Sequence, residues 1–251
     1  MNRSLLIFGA LLFATVPLMS QSNEERRVQI EKLERTPPSK EALDRRAGSI
    51  TRLTKEGVPI IEHLPVIEDS RTVKARSVEE IAHRAIAVCL TAVKGEGIEQ
   101  SIIDDLVKKY GADKFFSPKE AAFIKNPKPT QQERIQFSWR YEDYWVLLWA
   151  LGYVDSLDRP EAMCDVAKAV TILRDRDTAQ FVKDARVRPL AAILDEADLI
   201  YRYHWAVTDA RLKGKPAPAK LEGGVVMERH YVLNWLVRYM GQAWDGISTD
   251  T

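Results

Sequence analysis

The sequence predicts an all-α fold, an irregular bundle of about seven helices with an extended N-terminal segment. Three observations favour this fold. Apolar residues recur at helical spacing through most of the chain after Arg76, and glycine or proline residues separate these runs. No pair of alternating segments joined by a hairpin turn is visible. With 251 residues, of which 45% are hydrophobic, the chain is long enough to bury a sizeable core.

The first twenty residues have the pattern of a secretory signal peptide. Arg3 supplies a positive charge before the apolar run from Leu5 to Val16, and the small residue Ser20 precedes the expected cleavage site. The run is shorter than the roughly 20 apolar residues that a membrane-spanning helix needs. We therefore expect a periplasmic or secreted protein, attached to a membrane only if this leader, residues 1–20, stays uncleaved.

Residues 21–38 form the predicted linker between this leader and a single helical domain, residues 39–251. The linker is charged, and the helix-breaking sequence TPPS, residues 36–39, lies at its end. The domain begins with a short predicted helix from Lys40 to Lys55, which Gly57 ends. The next stretch, VPIIEHLPVIED, contains two prolines and alternating apolar residues. We expect it to be extended, and either to wrap the domain surface or to form an isolated strand.

The remaining helices are predicted from their caps, apolar stripes and breakers. Ser77 and Glu80 have the spacing of a capping box, in which each side chain accepts a hydrogen bond from the other residue's backbone N–H group. The apolar stripe that follows has a helical period and stops near Gly95. Further helices are predicted from Ile98 to Tyr110, from Pro118, from Thr130 to Leu151 and from Glu161 to about Arg174. One or two more are predicted from Thr178 to Lys213, with a kink or break before Pro189, and a last one from about Val225 to Met240.

Composition and motifs argue against several classes of function. Lys plus Arg number 37 and Asp plus Glu 36, so the net charge of +1 does not indicate a nucleic-acid partner. No glycine-rich phosphate loop and no Gly-x-Ser-x-Gly motif is present, and we predict no cofactor. Cys89 and Cys164 lie among apolar residues, which favours two buried thiols, with a single bridge between them as the alternative. No partner is identified.

The sequence FSWRYEDYWVLLWALGY is the densest in aromatic residues. Its part from Tyr144 to Leu151 is apolar on every face, which is typical of a buried central helix. Glu142 shares a helix face with Trp145 and Trp149. A carboxylate in such surroundings needs a cation, since otherwise its pKa rises. We therefore expect an arginine from another helix to pair with Glu142.

Two arginines can supply that cation. Arg229 lies on the inward stripe of the last predicted helix, and Arg202 follows Asp198 by one turn, at the spacing of an acid–base pair on one helix face. Arginine binds a carboxylate with two parallel hydrogen bonds, which suits it to dry surroundings. The predicted buried network comprises Glu142, Asp198, Arg202, Glu228 and Arg229, with Tyr201 or Tyr203 closing hydrogen bonds.

The predicted network has two interpretations. It can be structural, fixing the helix register, or it can line a pocket in which Glu142 or Asp198 acts as a general base. His204 and His230 lie in charged surroundings and complete the set of candidate catalytic residues. With Glu228 or Asp198 they have the composition of a two-histidine, one-carboxylate metal site, but no recognised ligand spacing is present. We therefore predict no metal.

Five segments occur in a fixed order along the chain: RSVEEIAHRA, FSWRYEDYWVLLWALGY, DEADLIYRYHWAVTDAR, ERHYVLNWL and WDGISTDT. Together they resemble the bacterial domain-of-unknown-function 4272 family. The resemblance runs from roughly Lys40 to Thr251, and the joint order of the segments makes it specific. It implies an all-helical domain without an assigned activity, and it supplies no catalytic residues.

The predicted function is that of an exported helical protein that binds a ligand or a partner, with its Arg/carboxylate network serving as structure. Paired arginine and carboxylate residues without nucleophile or metal spacing favour this function. The alternative is a hydrolase-like enzyme, with or without a metal ion, that uses a pocket formed by Glu142, Asp198 and His204 or His230.

Overall fold

The computed structural model describes Val28 and residues 37–251, and this part of the chain is all-helical, without a β-strand. The all-α prediction is therefore confirmed for these residues. The α-helices are α1 (Lys40–Lys55), α2 (Val78–Gly95), α3 (Gln100–Tyr110), α4 (Pro118–Lys125), α5 (Gln131–Ser138), α6 (Arg140–Ala150), α7 (Val166–Arg174), α8 (Thr178–Asp184), α9 (Leu190–Leu212) and α10 (Gly223–Leu236). Short 3-10 turns occur at Ala112–Lys114, Pro218–Lys220, Tyr239–Gly241 and Trp244–Gly246.

The helices are shorter and more numerous than the seven or so predicted, in part because one predicted helix is divided. The predicted helix from Thr130 to Leu151 is divided at Trp139 into α5 and α6. The stretch from Thr178 to Lys213, predicted as one or two helices with a kink or break before Pro189, shows a second division there, into α8 and α9. Proline lacks a backbone N–H and disfavours helical geometry at the residue before it, so the second division follows from the sequence.

Side-chain caps begin several helices. Ser77 and Glu80 form the predicted capping box at the start of α2. Ser117 and Thr130 begin equivalent capping boxes at α4 and α5. These caps satisfy backbone N–H groups that have no partner within the helix. The starts of these helices are therefore encoded by a few neighbouring residues.

Helix α6 is the central helix, and its residues from Tyr141 to Ala150 are all buried. It packs against α2, α7 and α10, while α9 packs against α10 and α1. Helix α10 thus lies in contact with both α6 and α9. Its side chains can reach the two helices that carry most of the predicted site residues.

Residues 58–77 contain neither helix nor strand and run against α1 and α9. Arg45 of α1 donates to the carbonyl oxygen of Glu68 at 3.4 Å, and Arg202 of α9 donates to that of Pro65 at 3.2 Å. This segment covers the domain surface and forms no isolated strand. The leader, residues 1–20, lies outside the described residues. The same holds for the linker, residues 21–38, except for Val28 and residues 37 and 38.

Two further predictions concern the membrane and the cysteines. Among the described residues, no helix combines the length and the apolar character that crossing a membrane requires. The thiols of Cys89 and Cys164 are both free, so no bridge joins them. Cys89 is buried and Cys164 is half-buried, with its Sγ atom 3.5 Å from the carbonyl oxygen of Tyr141.

Candidate functional site

Glu142 and Arg229 form an ion pair in the interior, between α6 and α10. Nε of Arg229 lies 3.7 Å from Oε2 of Glu142, and both side chains are buried. Oε1 of Glu142 accepts a hydrogen bond from the backbone N–H of Cys164, and Nη1 of Arg229 donates to the carbonyl oxygen of Asp158 at 2.5 Å. Burial lowers the pKa of Arg229, and the charge of Glu142 opposes this change. The cation that faces Glu142 thus comes from another helix.

Asp198 and Arg202 form a second ion pair, within α9. Nε and Nη2 of Arg202 donate to the two carboxylate oxygens of Asp198 at 2.9 and 2.8 Å. Both side chains are buried, so these two parallel hydrogen bonds are shielded from water. Because Nη2 also donates to Pro65, the pair ties residues 58–77 to α9.

Glu228 belongs to a third cluster, which is centred on Arg140. Nη1 of Arg140 lies 2.5 Å from Oδ2 of Asp143 and 3.1 Å from Oε2 of Glu228. Asp143 is fully buried. Burial raises the pKa of Asp143 well above its ordinary value; the charge of Arg140 opposes the rise and that of Glu228 adds to it. Two carboxyl groups thus share one guanidinium, which favours a proton on Asp143.

The predicted network members therefore occupy three clusters instead of one. No hydrogen bond or ion pair between described residues joins the clusters of Glu142, Asp198 and Glu228. Tyr203 closes a hydrogen bond elsewhere, since its hydroxyl donates to Glu56 at the end of α1. The hydroxyl of Tyr201 makes no hydrogen bond with any described residue and instead faces the cavity described below.

His204 and His230 contact each other through their Nδ1 atoms, which are 2.8 Å apart. Nδ2 of Asn234 donates to the carbonyl oxygen of Ser248 at 2.8 Å and lies 3.1 Å from Nε2 of His230. Because Nδ2 can only donate, Nε2 of His230 accepts, and Nδ1 of His230 carries the proton that it donates to His204. Burial lowers the pKa of His204 to about 4 and lowers that of His230 well below its ordinary value. Both rings are therefore neutral at pH 7.

A cavity of about 540 Å³, which we call the α9–α10 cavity, lies beside His230. Its walls include residues 63–68, Ala197 and Tyr201 of α9, and His230 and Asn234 of α10, together with Arg46 of α1 and Asp250 and Thr251. Small-molecule sites have volumes of roughly 300–1,000 Å³ and combine apolar walls with a few polar groups. The α9–α10 cavity has that size and that mixture.

Three polar side chains in the α9–α10 cavity have unused hydrogen-bonding capacity. Arg46 of α1 is half-buried and makes no ion pair with any residue that the structure describes. The hydroxyl of Tyr201 has no hydrogen-bond partner among these residues. Glu68 is half-buried and has no ion-pair partner there either, and burial raises its pKa. Polar groups left in this state are available to a ligand.

A second cavity, also of about 540 Å³, lies beside Arg140, and we call it the Arg140 cavity. Its walls combine aromatic rings with carboxyl groups: Phe137, Trp139, Tyr231, Trp244, Glu120 and Glu228. Trp139 is held against the first turn of α10, where a Cβ added to Gly224 would lie 2.7 Å from the indole ring. This close contact fixes one wall of the cavity.

Comparison with protein families gives one match. A family model described as "Domain of unknown function (DUF4272)" matches residues 45–247. The chain belongs to this family. Comparison with curated proteins and comparison with solved structures each gave no match. The role of this DUF4272 domain must therefore be argued from its own geometry.

Some of the predicted site residues of the DUF4272 domain line one of its two cavities, and others are buried away from both. His230 and Tyr201 line the α9–α10 cavity, and Glu228 lines the Arg140 cavity. Glu142 and Asp198 are fully buried in their ion pairs. Within the described part of the chain, no group of three or more His, Cys, Asp or Glu side chains is arranged to hold a metal ion.

Four residues that line or support the two cavities were not predicted from the sequence: Arg46, Glu68, Arg140 and Asp143. Arg46 and Glu68 come from α1 and from the segment without regular structure, so no periodic pattern links them to α9 or α10. Arg140 and Asp143 are three residues apart on α6, which is a recognisable ion-pair spacing. The spacing could have identified that pair, but not its contact with Glu228 of α10.

Proposed function

We propose that this DUF4272 protein binds a small organic molecule in the α9–α10 cavity. The observation that carries the proposal is the convergence of Arg46 and the Tyr201 hydroxyl, both without partners among the described residues, on a cavity of about 540 Å³. The polar atoms of Arg46 and Tyr201 are not among the buried atoms without a partner, so they stay accessible from the cavity. Such groups persist in a concave site when a bound molecule completes their hydrogen bonds.

The lining of the α9–α10 cavity supports a ligand with an apolar body and a polar acceptor group. Leu64, Val66, Ile67 and Val237 supply apolar surface. The guanidinium of Arg46 has a planar set of N–H donors, which matches the geometry of a carboxylate or a phosphate. Arg46 therefore favours a small amphipathic acid, whose acceptor group would lie at Arg46 and away from the acidic side chains of Glu68 and Asp250 in the same walls.

Binding has more support than hydrolysis, the alternative predicted from the sequence. Of the candidate catalytic residues, His230 alone lines the α9–α10 cavity, and its Nδ1–H and Nε2 are both engaged. Glu142 and Asp198 are each neutralised by an arginine in the interior. A general base must be able to reach the proton that it abstracts, which these two carboxylates do not.

We propose further that the protein acts after export. The basis is the pattern of residues 1–20, a positive residue followed by an apolar run and a small residue. Expression in a bacterial host, cell fractionation and mass measurement test this proposal. A mature form that begins near Gln21 in the periplasm or the medium is expected; an intact chain in the cytoplasm would contradict it.

A ligand screen monitored by thermal unfolding tests the binding proposal. The screen compares small organic acids that have an apolar body with their uncharged amide analogues. A ligand at about 100 times its dissociation constant adds about 2.7 kcal/mol of stability. For a chain of this size, that corresponds to a rise in Tm of about 5–10 °C. We expect acids to produce this rise and the matched amides to produce a much smaller one.

Two matched variants locate the binding. Val66→Trp fills the α9–α10 cavity from its loop wall, and Glu62→Trp places the same ring on the exposed part of that loop. The first variant should abolish the ligand-induced rise in Tm, and the second should retain it. Equal responses from both variants would refute binding in this cavity.

A further inference from the structure

Two buried carboxyl oxygens, one in the wall of the Arg140 cavity and one behind it, have no hydrogen-bond donor. Oε1 of Glu120 and Oδ1 of Asp143 are buried and have no partner among the described residues. Glu120 is only 1% exposed, yet it lines the cavity. Its other oxygen, Oε2, accepts hydrogen bonds from Arg84 and from the backbone N–H of Ser117. The free oxygen of Glu120 is therefore an unused acceptor, and Nε of its ion-pair partner Arg84 is an unused donor beside it.

Negative charge exceeds positive charge around this cavity. Four carboxyl groups belong to it or stand directly behind it: Glu120, Asp143, Glu228 and Asp245. Three cationic groups face them: Arg84 from α2, Lys119 from α4 and Arg140 from α6. One negative charge remains without a partner, unless the cluster retains a proton. A proton or a bound cation can supply the missing positive charge.

The aromatic walls of the cavity suit a cation better than an anion. The guanidinium carbon of Arg140 lies 4.7 Å from the centre of the Tyr231 ring, and that of Arg84 lies 4.8 Å from the centre of a Trp244 ring. The faces of these rings carry partial negative charge, which attracts cations, and one face of each ring is already covered by one of these arginines. Trp139 adds a third ring, and it is half-buried at the cavity.

We propose that the Arg140 cavity binds a small organic ammonium ion, with its apolar part against the rings and its N–H groups directed at Glu228 and Glu120. An ammonium ion supplies both of the things that the cavity lacks, hydrogen-bond donors and one positive charge. A neutral alcohol supplies the donors without the charge, and an organic acid brings a further negative charge close to the carboxyl groups.

Binding of the cation releases the proton held between Asp143 and Glu228. Arg140 on α6 contacts this pair directly, Tyr231 on α10, Glu120 and Lys119 on α4 and Asp245 in the last turn line the same cavity, and Arg84 on α2 is paired with Glu120. Burial raises the pKa of Asp143 well above its ordinary value in the empty cavity. A second cation in this cluster favours the ionised form of the pair, so the affinity for ammonium rises with pH.

Calorimetric titration with three probes of one shape tests the proposal on the intact protein. The probes are 2-phenylethylammonium, 2-phenylethanol and phenylacetate. We expect the ammonium to bind at least about tenfold more tightly than the other two, and more tightly at about pH 7.5 than at about pH 5.5. Its binding should release protons, measured as a heat that depends on the ionisation enthalpy of the buffer. Equal affinity for the ammonium and the alcohol, or binding without proton release, would overturn the proposal.

Three variants test whether the ammonium ion binds in the Arg140 cavity. Glu228→Gln removes one carboxylate, and it should weaken binding at least about tenfold. Met227→Trp, at an exposed position of the cavity wall, should block the cavity without changing a charge. Glu68→Gln, in the α9–α10 cavity, is the matched control and should leave ammonium binding unchanged. Retention of affinity by both Glu228→Gln and Met227→Trp, or its loss in Glu68→Gln, would contradict the assignment.

Discussion

The α9–α10 cavity and the Arg140 cavity have the same volume, about 540 Å³, and differ in how their polar groups are paired. In the first, the donors of Arg46 and Tyr201 have no acceptors among the described residues. In the second, two carboxyl groups share Arg140, and an oxygen of Glu120 has no donor. Volume alone therefore says little about a ligand. The balance of unused donors and acceptors indicates its chemical class.

Both cavities use α10, at different faces of the helix. His230 and Asn234 face the α9–α10 cavity, whereas Met227, Glu228 and Tyr231 face the Arg140 cavity. Side chains about three or four positions apart share a helix face, so one helix can present two distinct surfaces. This arrangement allows matched substitutions that test the comparison.

The largest expected difference is in the free energy of unfolding after substitution of Arg140 or Arg46, one arginine from each cavity. Arg140→Met leaves Asp143 and Glu228 without their cation in a buried place, so the free energy of unfolding should fall by about 3 kcal/mol. Arg46→Met removes a charge that has no partner among the described residues, so the change should stay within about 0.5 kcal/mol. Chemical denaturation of both variants at pH 7 measures these values. Similar losses of stability would remove the distinction between the two cavities.

The next effect is a loss of stability in acid, which involves His204 and its partner His230 in the wall of the α9–α10 cavity. In the folded chain the pKa of His204 is about 4, below its ordinary value of 6.5, because of burial and the charge of Arg211. Its contribution to stability is present above pH 6.5 and is lost as the pH falls towards 4. The slope is about 1.4 kcal/mol per pH unit for one histidine, and His230 adds to it.

Denaturation curves between these two pH values test the histidine effect. His204→Gln keeps a group that can accept from His230, and it should reduce the slope of stability against pH. His63→Gln changes an exposed histidine of the same cavity and serves as the matched control. A slope that is unchanged in His204→Gln would show that this ring is not the titrating group.

The smallest effect compares two tyrosine hydroxyls, one in each cavity. The hydroxyl of Tyr231 donates to the carbonyl oxygen of Trp244, whereas that of Tyr201 has no hydrogen-bond partner among the described residues. Tyr231→Phe should therefore lower the free energy of unfolding by about 1 kcal/mol, and Tyr201→Phe by much less. Denaturant titration of the two variants measures the difference. A larger loss from Tyr201→Phe would mean that its hydroxyl is already used.

Much of the fold could be predicted from local sequence patterns. The capping residue Ser77, the glycine after α3 and Pro189 act within one or two turns, so helix positions followed from neighbouring residues. The division at Trp139 could not be predicted in this way. It accompanies a tertiary contact, in which Gly95 of α2 lies so close to α5 that an added Cβ would be 2.6 Å from the backbone nitrogen of Ser138.

The candidate site was harder to predict, because its residues come from elements far apart in the sequence. The pairing of Asp198 with Arg202 follows from helical spacing within α9. Helical patterns indicate which residues face inward, but not which of them meet. The sharing of Arg140 between Asp143 and Glu228 depends on the placement of α10 beside α6, and the sequence pattern contains no measure of that distance.

Because Gly224 contacts Trp139, a substitution at this glycine can change the shape of the Arg140 cavity and thereby its ligand selectivity. The indole ring occupies the space that a methyl group at position 224 would need. An alanine there would push the ring outward and reshape the neighbouring hollow without adding or removing any charge. Substitution of this glycine in related proteins could therefore change which ligands they bind, even though glycine has no functional group of its own.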